Sequence, residues 1–307
     1  MIDVVIPTIG RASLKAAAES ARRQHEVARV LVVLDRPGDE EAVRTMLRGT
    51  AAELILSKGG EGGSVCRQLG VSRSTAPWIA FLDDDDIWLA GRFAAVRSFV
   101  HEPSPGAVLI TASFALIGQE QMSVMQPGGE AEVVGRVIPR RPPFDGGDNL
   151  ASYLASRRSL RYGYSGLQSS GLLLSRSLAE TIAWDANLRK HQDWDYLIQA
   201  EERAGLRVHQ TECRVITQQN TPESVSARLD WSESVAFLEK HRSKMSKRAT
   251  ADFLAVHVLR VGILSGSMKT SIRFVMLHMR AVPHWGATVG IVEAAVRALR
   301  GRVRWLR

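Results

Sequence analysis

The sequence predicts an α/β fold followed by a helical extension, and three observations predict it. Short runs rich in Val, Ile and Leu alternate with amphipathic stretches over roughly the first 105 residues, as expected of parallel strands joined by helical crossovers. One of these runs ends abruptly in four aspartates, and in open α/β sheets ligands bind just beyond the carboxyl ends of strands. Past Thr221-Pro222-Glu223 turn clusters become few, and the chain reads as mostly helical with Ser or Thr at the helix starts.

Strands are expected at Val4–Ile6, Val30–Leu34, Leu54–Leu56 and Trp78–Leu82, each apolar throughout and bounded by turn residues or charges, as buried parallel strands require. Between them Ser13–Gln24, Asp39–Leu47 and Gly63–Arg73 are the helical candidates, and right-handed crossovers lay them on the sheet. Further on, Ala107–Ile117 reads as a strand and the Gly- and Pro-rich Gln126–Gly147 as loops. Ser169–Leu174 reads as a strand, His191–Ala204 as a helix and Arg207–Thr217 as a strand. A boundary near Thr221 divides a sheet-bearing domain, residues 1–221, from a basic and mainly helical extension, 222–307.

An apolar content of 45% in 307 residues is enough to bury a sizeable core. The two cysteines, Cys66 and Cys213, make neither a disulfide framework nor a paired zinc pattern, which suits a reducing compartment. The opening Met1–Pro7 lacks the regions of a secretory signal, and no apolar run reaches the roughly 20 residues that span a bilayer, so a cytoplasmic protein is expected. The net charge of +8 is uneven: His241–Arg307 holds 13 Lys and Arg against 2 Asp and Glu, while residues 1–240 hold 27 against 30. A basic tail of this kind suggests an anionic partner.

The most informative segment is Trp78-Ile79-Ala80-Phe81-Leu82-Asp83-Asp84-Asp85-Asp86-Ile87-Trp88. Crowded carboxylates repel one another unless positive charge sits among them. A hard cation, Mg²⁺ or Mn²⁺, supplies that charge and keeps coordination positions open for substrate phosphates. The plainer alternative is a solvated acidic loop or a set of helix N-terminal charges.

Five segments in this order resemble the inverting family 2 glycosyltransferases of the GT-A fold, along about the first 220 residues. Val4-Val5-Ile6-Pro7-Thr8 resembles their opening strand, which ends at the nucleotide base, and Val32-Val33-Leu34-Asp35 their second strand with its base-binding acid. Gly62-Gly63 followed by Arg67 resembles their glycine-rich segment and donor-binding arginine. Leu82-Asp83-Asp84-Asp85-Asp86 is similar to their DxD metal motif, and His191-Gln192-Asp193-Trp194-Asp195 to the late motif that carries the catalytic base. The chain departs from the pattern at Asp35-Arg36-Pro37, where a second acid and Gly-Ser are common, at Gln68 in place of Asn, and at Gln199 in place of a late arginine. The resemblance implies a Rossmann-like mixed sheet flanked by helices. It also implies transfer of a sugar, with inversion, from a nucleotide-sugar donor to a saccharide or lipid-linked acceptor of surface glycan synthesis.

On that resemblance Asp85 is the first choice for metal ligand and Asp83 the second, because alternate residues at a strand end converge on one ion. Asp84, pointing the other way, is expected at the donor ribose, Asp35 at the base, and Pro7 and Thr8 beside the base through their backbone. Arg67 suits the donor diphosphate, since a planar guanidinium pairs well with phosphate oxygens. Asp193 is the expected general base, with Asp195 as its substitute; a single displacement needs one carboxylate on the acceptor side. The plainer alternatives are a surface arginine, a strand-ending turn acid and a helix N-terminal acid, respectively, for Arg67, Asp35 and Asp193.

In Ile291–Arg307, Val292, Ala295, Leu299, Val303 and Leu306 recur at helical spacing, and Arg297, Arg300, Arg304 and Arg307 form a second row. Two readings stand side by side: a helix lying on the anionic inner face of a membrane, or one docked on the catalytic domain through its apolar stripe with the arginine face solvated. No nucleic-acid motif accompanies the charge, so no nucleic acid is expected. The rival functions are a metal-dependent nucleotidyltransferase or phosphohydrolase, and a non-catalytic nucleotide-sugar-binding module. The first rival lacks a glycine-rich loop or acidic pair after the opening strand, and the intact carboxylates argue against the second.

Overall fold

A computed structural model describes residues 1–97, 108–117, 136–138, 144–159, 167–204, 206–218 and 229–304. The chain forms two units, one of Met1–Pro139, Gly166–Asn187 and Gln192–Pro222, the other of Arg140–Ser165, Leu188–His191 and Glu223–Arg307.

The first unit is built on one mixed sheet. Its strands are β1 (Ile2–Thr8), β2 (Val27–Leu34), β3 (Glu53–Leu56), β4 (Trp78–Phe81), β5 (Asp86–Trp88), β6 (Val108–Ile117), β7 (Arg136–Ile138), β8 (Leu173–Ser175) and β9 (Arg207–Gln218). They lie in the order β3-β2-β1-β4-β8-β6-β9-β5, with β7 paired to β6. The four strands from β3 to β4 run parallel, and β8 joins them antiparallel between β4 and β6. β6 and β9 are parallel, and β5 closes the far side antiparallel to β9.

Apolar runs become central strands here because both sheet faces are covered. Ile2, Val4, Val5 and Ile6 of β1 are buried on both faces, as are Val30 to Leu34 of β2. The Leu14–Arg22 helix turns Leu14, Ala17, Ala18 and Ala21 inward. The Gly63–Arg73 helix lies against β1 at Gly70, where a Cβ would fall 2.2 Å from the Val5 side chain. Asp3 is buried at the start of β1 and accepts hydrogen bonds from Ser74 Oγ (2.8 Å), Thr75 N (2.7 Å) and Ala76 N (3.0 Å), which fixes the turn that launches β4.

Three sequence expectations change. Ser169–Leu174 is not one strand: Ser169–Gly171 is a 3₁₀ turn and β8 begins at Leu173. Asp86, read as the last of the acidic run, opens strand β5 (Asp86–Trp88). Arg136–Ile138 is a strand inside the segment expected to be loops; most of the rest of that segment, and Thr221, lie outside the described residues.

The second unit is helical. Its described helices are Leu150–Ala155, Ser232–His241, Lys247–Phe253, Arg260–Leu264, Met268–His278 and Trp285–Arg304, with a π-helical segment, Leu254–Leu259, joining the third to the fourth. Asn149 and Ser246 cap two helices by accepting from Ser152 N and Ala249 N. Phe237, Phe253, Leu254 and Val258 form its core, and the rings of His191 and Phe237 stand 5.0 Å apart. Buried Asp252 accepts from Arg157 N (2.7 Å) and His284 N (2.6 Å) and pairs with His284 Nδ1 (2.6 Å).

Of the apolar stripe expected in the last helix, Val292 and Leu299 are exposed and Ala295 is half-buried; among the helix's described side chains Ala287 and Ala294 are the buried ones. Gly286 allows close approach, since a Cβ there would meet Arg157 O at 2.5 Å. Residues 305–307, and with them Leu306 and Arg307, lie outside the described residues.

Candidate active site

The carboxyl ends of β1, β2 and β4 lie side by side, so the residues that follow these strands share one edge of the sheet. Asp35 N donates to Thr8 O at 2.8 Å, tying the ends of β1 and β2 together. The Asp35 carboxylate then takes hold of the glycine-rich loop: Oδ1 accepts from Ser57 Oγ (2.7 Å) and Glu61 N (3.0 Å), and Oδ2 from Gly62 N (2.7 Å). Gly59, Gly60 and Gly62 in that loop have positive φ, which a residue with a Cβ rarely adopts. The loop delivers the chain to the Gly63–Arg73 helix, whose second turn carries Arg67.

The four aspartates divide by direction. Asp84 is 1% exposed and accepts from Thr8 Oγ1 (2.6 Å) and from Arg11. Burial pushes its carboxyl up, and Arg11 and Thr8 pull it back down. Asp83 and Asp85 are partly exposed, while Asp86 is buried at the start of β5. Asp83 accepts from Arg67 Nη2 (2.7 Å) and Ser169 Oγ (2.8 Å), and its N–H donates to Ser170 Oγ (2.9 Å).

Arg67 is nearly buried. Besides Asp83 it donates to Gln192 Oε1 (3.1 Å) and Ser169 Oγ (3.3 Å), and its guanidinium carbon sits 4.9 Å over the Trp184 ring. Trp184 stacks in turn on Tyr196 at 4.6 Å. Gly63 leaves room for this arginine, since a Cβ there would stand 3.0 Å from Nη1.

Asp193 lies in the first turn of the Gln192–Ala204 helix, where Trp194 N donates to its Oδ1 at 2.9 Å. Desolvation raises its carboxyl to about 6, partly offset by the Trp194 hydrogen bond and Arg67, with Asp83 adding to the rise. Asp193, Arg67 and Asp83 therefore lie within electrostatic reach of one another. Asp195 points into the protein, wholly buried, and accepts from Gln199 Nε2 at 2.8 Å.

Among the described residues no three His, Cys, Asp or Glu side chains gather into a closed metal cage. A Mg²⁺-type ion does not need one, because it is commonly held by one or two carboxylates plus water and phosphate oxygens. Two partly exposed carboxylates on one turn, Asp83 and Asp85, fit that oxygen donor set; buried Asp84 does not.

Of the residues expected from sequence, Thr8 with Asp84, and Arg67 with Asp83, are in direct contact, and Arg67 also bonds Gln192 beside Asp193. Pro7 is partly buried in β1, one residue before Thr8, and Asp35 is engaged by the loop. Sequence reasoning missed Arg11, Ser169, Ser170 and Trp184. Ser170 and Gly171 are themselves held by Trp88 Nε1, which donates to Ser170 O (2.8 Å), and by buried Arg92, which donates to Gly171 O (2.7 Å). Their separation from Asp83 and Arg67 in sequence leaves no local pattern to read.

Residues 3–143 match the family model described as Glycosyl transferase family 2. A curated relative, the amylovoran biosynthesis glycosyltransferase AmsB of Erwinia amylovora, is 26% identical over 178 residues, 56% of this chain and 54% of AmsB. The chain thus spans about half the length of that relative. Among solved structures, S. aureus TarS 1-349 in complex with UDP-GlcNAc superposes with a TM-score of 0.57 at 14% identity, covering 99% of this chain and 91% of that one. At that identity the likeness concerns the fold.

Proposed function

The chain carries a family 2 glycosyltransferase segment on a GT-A fold, and from that premise we propose that it is an inverting, metal-dependent glycosyltransferase. It moves a sugar from a nucleoside diphosphate donor to a hydroxyl acceptor, either a saccharide or a lipid-linked saccharide in surface glycan synthesis at the inner face of a membrane. The observation that supports this most is the grouping of Asp83, Arg67 and Asp193, two acids and a guanidinium coupled at the end of the sheet.

In this reading Arg67 pairs with the donor diphosphate, exchanging Asp83 for phosphate oxygens as the donor enters. Pro7 and Thr8 border the base through their backbone. Asp35 and Asp84 hold the donor side in shape, the first through the Ser57–Gly62 loop and the second through Thr8 and Arg11. Asp83 and Asp85 would hold Mg²⁺ or Mn²⁺, whose charge offsets that of the departing diphosphate. Asp193 accepts the proton of the acceptor hydroxyl as its oxygen bonds to the anomeric carbon. The bond from that carbon to the diphosphate oxygen breaks, and its electron pair leaves with the nucleoside diphosphate. One displacement inverts the anomeric centre.

The test is a screen of nucleotide sugars with and without Mn²⁺ that reads released nucleoside diphosphate. Metal-dependent release with at least one donor, lost in Asp193→Asn, is the expected result. Donor binding without turnover on any acceptor would favour a binding module instead.

A further inference from the structure

The two last helices of the C-terminal unit leave many of their apolar side chains exposed. On Met268–His278, Met268, Ile272 and Met276 are exposed at four-residue spacing, with Met276 75% accessible. On Trp285–Arg304, Trp285, Val289, Val292, Val296 and Leu299 form an exposed row at alternating spacings of four and three. Near the end of the first helix Leu277 is 60% exposed, and the connection between the helices carries Val282, 80% exposed. On the inner side of the last helix Ala287 and Ala294 are buried and Ile291 and Ala298 half-buried, and a Cβ at Gly290 would stand 3.7 Å from the Arg260 side chain. The exposed apolar row from Trp285 to Leu299 departs from the polar outer face of an ordinary surface helix. Apolar faces of this extent mark interaction sites.

Charge selects the partner. Lys269, Arg273, Arg280 and Arg297 are exposed among these apolar positions, and Glu293 is the only acid from residue 253 to the end of the chain. No described helix is long and apolar enough to cross a membrane. A second copy would bring one strongly basic face against another, which like charge opposes. An anionic bilayer answers both features, taking apolar side chains into its headgroup boundary and basic ones at its surface.

We propose that the Met268–Arg304 helix pair is a surface for anionic lipid, with Met276, Leu277, Val282 and Trp285 as its deepest points. This deepens the membrane part of the reading above and is independent of the transfer chemistry. The insertion point is the turn between the helices, not the arginine-rich end of the chain.

Co-sedimentation of the full chain with phosphatidylglycerol-containing and pure phosphatidylcholine vesicles is the experiment. The chain is expected to bind the anionic vesicles, more weakly as salt rises. The combined variant Met276→Ser, Leu277→Ser, Val282→Ser, Trp285→Ser should lose binding roughly ten-fold or more. Lys269→Gln with Arg273→Gln and Arg280→Gln should weaken it roughly five-fold per charge removed. Both variants alter exposed positions, and circular dichroism with nucleoside diphosphate release, where the wild type shows it, checks that the fold and the transfer site persist. Vesicle binding without any transfer activity would leave this proposal standing and sink the enzymatic reading. Equal binding of the four-residue variant would overturn the proposal. So would a wild-type chain that ignores anionic vesicles but sediments as a dimer that the same variant dissociates.

Discussion

Asp193 is set apart from the other acids by its titration, which burial carries to about 6. A carboxylate in that range is ionised at neutral pH yet basic enough to accept a hydroxyl proton. Turnover should therefore decline as pH falls through about 6, and Asp193→Asn should lower it by about 10²–10⁴-fold with donor affinity little changed. The sign for stability is opposite. A raised carboxyl favours the protonated folded state, so its contribution is full in acid and lost as pH rises through about 6. Asp193→Asn should consequently gain roughly 1–2 kcal/mol over wild type at neutral pH, a gain that fades in acid; a stability difference from wild type that is the same at both pH values would refute the assignment. For the metal, Asp85→Ala should abolish most Mn²⁺-dependent nucleoside diphosphate binding in calorimetry, because one of two available carboxylates is lost. Unchanged metal-dependent affinity would move the ligand elsewhere. These acids were legible because each sits at the end of an element that announces itself in the sequence. Ser169 and Trp184 were not, since their roles exist only once Arg67 is brought to them across the fold.

At the scale of elements, the parallel half of the sheet was the most readable part. Strands buried on both faces need uninterrupted apolar runs, and the helix expected at Gly63–Arg73 has those bounds. Strand β5 was hidden because Asp86 belongs to a run whose charge dominates any reading, and its partner lies on β9, far along the chain. The Ser169–Gly171 turn was hidden because two serines and a glycine ahead of leucines fit a strand as well as a turn. The loop latched by Asp35 offers a direct test. Asp35→Ala removes the acceptor of Ser57 Oγ, Glu61 N and Gly62 N at once. Each buried donor left without an acceptor costs about 1–3 kcal/mol, so thermal stability should fall, and the misplaced loop should weaken donor binding through Arg67. Stability lost with donor affinity intact would show that the loop serves the fold alone.

For the whole molecule, a linear reading divides the chain once, near Thr221, and has no means to see that Arg140–Ser165 and Leu188–His191 pack with the C-terminal helices. The reason is chemical: Asn149 Nδ2 donates to Lys244 O (2.7 Å), and Arg157 and His284 meet at Asp252, contacts between segments that no periodicity links. Asp252 is wholly buried and gathers three stretches of chain on one carboxylate. Asp252→Ala would remove the acceptor of the part-buried N–H groups of Arg157 and His284, at roughly 2–5 kcal/mol together. Calorimetric unfolding should show a transition lowered by roughly 10 °C or more, since a unit of this size loses several degrees per kcal/mol. Asp252→Asn should rescue little of it. An amide keeps the shape but has only one oxygen, so its NH₂ must face a group that donates to Oδ1 or Oδ2. A melting curve matching wild type in either variant would mean that helix packing alone holds the C-terminal unit together.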